Sequence, residues 1–177
     1  LPRLALGKAI GCLAIAEGVG EVSPANISLT ERQGKLTGEK ILVPDGDFAD
    51  VAVVIARSGS THSLFLVDLR QAGVSRQLTP TIDPSRSHAN IRFAGVATEL
   101  LGQAGAGIQQ LEQILDRAAV LFAFEQVGGA EAAMNQARDY ALHRYAFGRP
   151  IAGFQAIKHK LARMYVAIQL ARSNCYY

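Results

Sequence analysis

The chain has 177 residues, 49% hydrophobic and 19% charged, with a formal net charge of +3. That balance is globular: it excludes a disordered chain and suffices for a core without disulfide or metal staples. No apolar run reaches the roughly 18 residues of a membrane span. The two cysteines, Cys12 and Cys175, lie far apart, fit no zinc spacing and read as reduced thiols of a cytoplasmic protein.

The segment Leu1 to Ala16 is apolar but interrupted by Arg3 and Lys8, and could be mistaken for a signal peptide. Because it begins with Leu rather than Met, the chain is expected to be cut from a longer one. Up to residue 103, short β-rich runs alternate with turn residues. Strands are expected at Cys12–Glu17, Ile27–Arg32, Leu36–Val43, Val51–Arg57, Ser63–Asp68, Val74–Leu78 and Ala89–Phe93. Arg32-Gln33-Gly34-Lys35 reads as a tight hairpin, the glycine supplying a positive φ. Asp83-Pro84 punctuates a longer irregular stretch. This spacing predicts an antiparallel barrel or sandwich over residues 1–103.

The second part, 104–177, has a helical period. Ile108, Leu111, Leu115, Ala118, Phe122, Gly129, Ala133, Ala137 and Tyr140 form one stripe. Gly128-Gly129 weakens the helix and predicts close approach of another helix. Phe147-Gly148-Arg149-Pro150 is expected to end it, Gly148 acting as the cap. A second helix is expected from about Phe154 to the chain end. Its apolar residues Phe154, Ile157, Leu161, Met164, Ile168, Ala171 and Cys175 alternate steps of three and four, a seam that calls for partner helices. The fold class expected is therefore α+β: an antiparallel, barrel-like β-domain followed by long antiparallel helices of an incomplete four-helix bundle.

Charge is unevenly placed. Residues 1–103 carry ten basic and ten acidic side chains, whereas 140–177 carry six cations and no acid. Such an excess reads either as a solvated helix face or as a site for an anion. Nucleic-acid binding is disfavoured, because the cations are interrupted by the apolar seam. The glycine-rich runs at 18–20 and 102–107 fit neither the dinucleotide fingerprint nor the phosphate loop and read as turns. The four histidines are scattered, with no paired zinc motif.

One segment is more specific. An arginine at the end of one helix (Arg144), a Phe147-Gly148 turn, and Phe154-Gln155 opening the next helix resemble the C-terminal domain signature of the acyl-CoA dehydrogenase family. Leu1 to Glu17 resembles the entry to that family's middle β-domain. Leu36-Thr37-Gly38-Glu39-Lys40 with Val43 and Ala49-Asp50 resembles its next strand and loop. Thr81 to Pro84 with Arg86 and Gly95-Val96 resembles its last strands. The resemblance covers nearly the whole chain. It implies a middle domain plus the first helices of the C-terminal domain, in a dimer or homotetramer.

The same resemblance implies the cofactor FAD, an acyl-CoA substrate, another subunit of the family, and an electron-transfer flavoprotein or similar acceptor. Arg144 matches the family's pyrophosphate-binding arginine, and Phe147 and Gln155 match its flavin-contacting residues. The residue types suit those roles, since a guanidinium can bond a diphosphate bidentately, and a helix start adds N–H donors and a positive dipole end. Asp116 matches the aspartate of a substrate-binding pair whose arginine is missing here, unless Arg117 replaces it. The family's Thr-Glu-Pro turn and serine correspond to Ala16, Glu17, Gly18 and Val22. Its Trp-Ile-Thr corresponds to Leu42, Val43 and Pro44. Proton removal from Cα needs a carboxylate in reach, but no base is assigned. The family's usual glutamate lies beyond Tyr177, and its alternative position holds Ala118. Glu112, Glu125 and Glu131 carry no motif. Alternatives on the same fold are a non-catalytic subunit of a heteromeric enzyme, and a flavin monooxygenase or oxidase. A structural or anion-binding module is the more distant one.

Overall fold

The computed structural model describes residues 2–20, 22–83 and 85–177; the proline of the Asp83-Pro84 break lies outside them. The chain divides into two compact units, the first ending at Gln113 and the second covering Ile114–Tyr177.

The first unit opens with a single helical turn, α1 (Pro2–Ala5), and then builds a mixed sheet. Its strands are β1 (Gly11–Ala14), β2 (Thr30–Arg32), β3 (Lys35–Pro44), β4 (Val51–Ser58), β5 (Thr61–Asp68), β6 (Val74–Leu78), β7 (His88–Ala97) and β8 (Glu99–Leu101). All seven expected strands form, and β8 was not foreseen. The order is β6-β7-β3-β2-β4-β5-β8, with β1 also paired to β4. The expected barrel closure is not found: β6 and β8 end the sheet without pairing to each other. Nor is the sheet purely antiparallel. Both β1 and β2 run parallel to β4 and lie end to end along one of its edges.

Alternation places Ala52, Val54 and Ala56 of β4 in one apolar cluster with Leu36, Phe65 and Phe93. The intervening Ile55 belongs to a second cluster with Ile27, Leu64 and Leu111, against which Val53 packs. The central strands are therefore covered on both faces, as a sandwich-like core requires. The β2–β3 turn is Gln33-Gly34, with φ of 52° and 75°, and Arg32 pairs with Lys35. Positive φ at both central positions is the twist-matched geometry for a two-residue hairpin.

Helix α2 (Gly107–His143) is unbroken over 37 residues. Its first two turns belong to the first unit, where Leu111 is buried and Ile108 packs beside it. A Cβ on Gly107 would stand 2.6 Å from the Ser63 Cα, so this junction admits only glycine.

In the second unit α2 runs antiparallel to α3 (Gln155–Tyr176). Phe124 meets Tyr176 edge-on at 5.0 Å between ring centroids, and one helical turn or two further along Glu131 receives a hydrogen bond from Arg172. Ile168 of the expected α3 seam is buried. It shares an apolar groove with Ala123, Val127 and Ala130. The α2 stripe differs from expectation: Phe122 and Tyr140 are exposed, and nothing lies within 4 Å of a Cβ built on Gly128 or Gly129. The reason is that α2 is apolar on two faces, and α3 occupies the neighbouring one. Among the described residues no helix is long and apolar enough to cross a membrane.

Substituting Gly107→Ala should destabilise the first unit by about 1–3 kcal/mol, since the added methyl meets main chain rather than a movable side chain. A urea titration followed by circular dichroism would check this, and an unchanged midpoint would contradict the close approach.

Candidate functional site

The residues singled out from the sequence fall into two constellations, one in each unit. In the second unit α2 ends at His143, whose Nδ1 lies 2.8 Å from the Asp139 carbonyl oxygen. Arg144 follows directly, its N–H bonded to the Tyr140 carbonyl at 2.8 Å. The chain then forms a miniature hairpin from β9 (Tyr145–Ala146) and β10 (Arg149–Pro150). The turn is Phe147-Gly148, with φ of 53° and 77°. Gly148 is thus a hairpin residue and not the helix cap expected from the sequence. The Arg149-Pro150 pair lies on the return strand, and the Ile151 N–H closes the module by donating to the Arg144 carbonyl at 2.8 Å.

This hairpin carries Phe147 at its tip, 95% exposed. Its ring meets Phe154 edge-on at 6.2 Å, and the Arg149 guanidinium lies 4.1 Å over the Phe154 ring. The stack holds a short two-residue ribbon that would be marginal by itself. Phe154 caps α3 without a side-chain bond, leaving the N–H groups of the first turn without a side-chain acceptor. Gln155 is the first residue of that turn. Arg144, Phe147 and Gln155 are all exposed and belong to one continuous module. No ion pair engages Arg144 among the described residues. The arginine side chain and the N–H groups at the start of α3 are donors of the kind that bind anionic groups.

Asp116 is not brought to this module. It lies on α2, exposed, about 40 Å from Arg144 along the helix axis at 1.5 Å per residue. The helix glutamates are not gathered into a site either. Glu131 is held by Arg172, whose hydrogen bond keeps the carboxyl below the usual carboxylate range.

The second constellation, in the sheet, joins the two segments matched to flavin contacts. β1 stops at Ala14, short of the expected Glu17, whose side chain is instead drawn to Lys40. The Lys40 side chain is fully buried and its Nζ donates to Glu17 Oε1 at 2.7 Å and to the Ile15 carbonyl at 3.1 Å. Glu17 Oε2 accepts from the Ser28 N–H at 2.7 Å, the Ser28 hydroxyl at 2.5 Å and the Leu29 N–H at 3.0 Å. Those amides serve the carboxylate, which is why β2 begins only at Thr30 and not at the expected Ile27.

Burial disfavours the Glu17 carboxylate, but the hydrogen bonds from Lys40 and Ser28 outweigh it and hold its pKa below the ordinary value. Burial pushes the Lys40 pKa down against the pull of Glu17. Next to the pair, the Ile41 N–H donates to the Ala16 carbonyl at 2.8 Å. The β3–β7 register slips between Lys40 and Val43. Leu42 sits in this bulge at φ 50°, unusual for a leucine, with its N–H bonded to Asn90 Oδ1 at 3.1 Å. The structure therefore places the Ala16–Glu17 turn beside the Leu42 bulge. A cavity of about 320 Å³ opens along Ile15, Glu17–Gly20, Val22 and Ile27. Sequence reasoning noted Lys40 only as part of a motif. The available signal was its inward position in the alternation of β3, shared with the buried Leu36. Burial raises the Cys12 thiol pKa to about 11, which disfavours the thiolate.

The family model described as the acyl-CoA dehydrogenase C-terminal domain matches residues 105–177. The chain is 37% identical to acyl-CoA dehydrogenase IpdE2 of Mycobacterium tuberculosis over 98% of its own length and 50% of that protein's. It superposes on butyryl-CoA dehydrogenase from Megasphaera elsdenii with a TM-score of 0.91 at 25% identity, covering 98% of this chain and 49% of that one. A glutaryl-CoA dehydrogenase from Mycobacterium smegmatis, solved in complex with FADH2, gives a TM-score of 0.83 at 26% identity, with 97% and 48% covered. The chain belongs to the acyl-CoA dehydrogenase family. It spans about half the length of the curated relatives it matches.

Acid should loosen the first unit through Glu17. Its folded pKa lies below the unfolded value of 4.5, so the stability it contributes is complete above that value and is lost as pH falls through the folded pKa. A Glu17→Gln variant should be less stable at neutral pH and should show a shallower loss on acidification below pH 4.5. Equilibrium unfolding at a series of pH values would check this; parallel pH profiles for the two proteins would contradict it.

Proposed function

We propose that the chain forms the middle β-domain and the start of the C-terminal helical domain of an FAD-dependent acyl-CoA dehydrogenase. The observation carrying this reading is the Arg144–Gln155 module, in which an arginine with no ion-pair partner among the described residues, an exposed Phe147 and the open start of α3 are held together. In this reading Arg144 bonds the cofactor's diphosphate, Phe147 packs against its ring system, and Gln155 hydrogen-bonds it from the first turn of α3. FAD, when bound, supplies a hydride acceptor for the α,β-dehydrogenation of an acyl-CoA thioester. Asp116, on the exposed face of α2, contacts the substrate. The proton passes in this reading to the family's glutamate base, which no residue of Leu1–Tyr177 matches: position 118 holds alanine, and Glu112, Glu125 and Glu131 carry no motif. The enzyme would work in the cytoplasm as a dimer or homotetramer and pass electrons to an electron-transfer flavoprotein or a similar acceptor.

A second reading is favoured by the residues at 16, 22 and 42. Ala16 and Val22 lack the hydroxyls of the matched family positions, and Leu42 lacks the tryptophan ring. A subunit of this kind would lend Arg144, Phe147 and Gln155 to a neighbour's flavin while its own β-domain holds none. Flavin stoichiometry of the whole protein, with any partner chain, separates the two: one FAD per chain for the first reading, one per two different chains for the second.

In either case Arg144→Ala should raise the Kd for FAD about ten- to a hundredfold, the loss of a charge-assisted hydrogen bond of about 1.5–3 kcal/mol. Titration of the apoprotein followed by flavin fluorescence measures it. An unchanged Kd would remove Arg144 from the cofactor site.

A further inference from the structure

We propose that the Glu17–Lys40 ion pair is a positioning element, locking the Ala16–Gly20 loop and the Leu42 bulge into one wall against which the flavin ring is set. The inference rests on the cofactor reading above and deepens it. Three observations carry it. First, the pair ties the two segments directly, Glu17 lying in the loop and Lys40 two residues before Leu42. Lys40 is wholly withdrawn from solvent, and it is tied at once to Glu17 and to the Ile15 carbonyl. Glu17 in turn gathers Ser28 and Leu29. Second, its neighbours join the same two segments: the Ile41 N–H is bonded to the Ala16 carbonyl, and Leu42 is kept at its left-handed φ by Asn90. Third, Glu17 borders the 320 Å³ cavity with Gly18 and Val19, so the loop tied down by the pair forms part of the cavity lining.

Stability alone is a poor explanation for such a pair. A buried ion pair is often matched or bettered by apolar side chains of the same volume, while loss of one partner strands the other charge. What it does supply is a single geometry. That matters more here than in a site with hydroxyl side chains. With alanine at 16 and leucine at 42, these two positions offer a ring only apolar contact and main-chain groups, of which the Leu42 N–H is already taken by Asn90 and the Ala16 C=O accepts from Ile41. The direction of those groups is set by how the backbone is pinned. Glu17 and Lys40 are positioning residues, acting through the main chain of their neighbours.

The test uses the full-length protein carrying Lys40→Met, and the paired Lys40→Met/Glu17→Gln variant in case the single change fails to fold. Amide hydrogen exchange of the flavin-free proteins comes first. Exchange at Ser28, Leu29, Ile41 and Leu42 should rise at least tenfold in the paired variant, with Val53, Val54 and Leu66 unchanged. Flavin titration and the visible spectrum come second. The paired variant should bind FAD at least tenfold more weakly and shift the flavin absorption band, although its helices are intact by circular dichroism. Unchanged exchange at the four amides, or a rise shared by Val53, Val54 and Leu66, overturns the proposal. So does an unchanged spectrum and Kd in a protein whose β-domain binds FAD. Should the unmodified β-domain bind no FAD, the cofactor reading of this unit falls. The exchange pattern then decides by itself whether the pair locks the two segments.

Discussion

A lysine ammonium withdrawn completely from water must be met by an anion, and much of the first unit is arranged to meet that demand. Lys40 lies on the inward register of β3, where Leu36 is buried two strand periods earlier. The anion comes from Glu17, just past the end of β1, and the carboxylate in turn draws on amides ahead of β2. Desolvation on its own would make either charge unfavourable by several kcal/mol. Together, with the Ser28 hydroxyl and three backbone groups, they form a satisfied polar network inside an otherwise apolar sheet. The early end of β1, the late start of β2 and the bulge after Lys40 all surround this one contact.

The second unit answers to a different constraint. A 37-residue helix needs more apolar cover than one partner can give, and α2 is apolar on two faces. One face takes α3 through Val127, Ala130 and Ile168. The other, with Phe122 and Tyr140, stays exposed. Between the helices the chain reverses through a hairpin whose turn demands positive φ at Phe147 and Gly148. That turn projects Phe147 outward, while Arg149 and Phe154 stack behind it. Of the six cations clustered in the sequence from residue 140 on, two are thereby occupied: Arg149 over the Phe154 ring and Arg172 with Glu131. Arg144 has no such internal use among the described residues.

Legibility in the sequence followed how local the cause was. β6 and the Gln33-Gly34 turn were readable from alternation and turn chemistry, and the α3 seam from its three–four spacing. The end of β1 was not, because Glu17 leaves the sheet to serve a lysine 23 residues away. β8 was missed since Glu99-Leu100-Leu101 is too short to show a period, and pairing with β5 makes it a strand. Gly148 was misplaced as a helix cap, since phenylalanine gives no sign of adopting φ 53°. The barrel expectation failed because strand spacing says nothing about whether the ends of a sheet meet. For the candidate site, Arg144, Phe147 and Gln155 were found through resemblance. Geometry adds that they share one module, and that Asp116 stands far along the helix from them.

The proposed function is FAD-dependent dehydrogenation of an acyl-CoA thioester by the whole protein. Its most direct measurement is anaerobic mixing of the purified full-length protein, as isolated with any partner chain, with a series of acyl-CoA thioesters while recording flavin absorbance near its long-wavelength maximum. The isolated protein should carry FAD, and at least one acyl-CoA should bleach it. A protein without flavin, or a bound flavin that no acyl-CoA in the series bleaches, would contradict the claim.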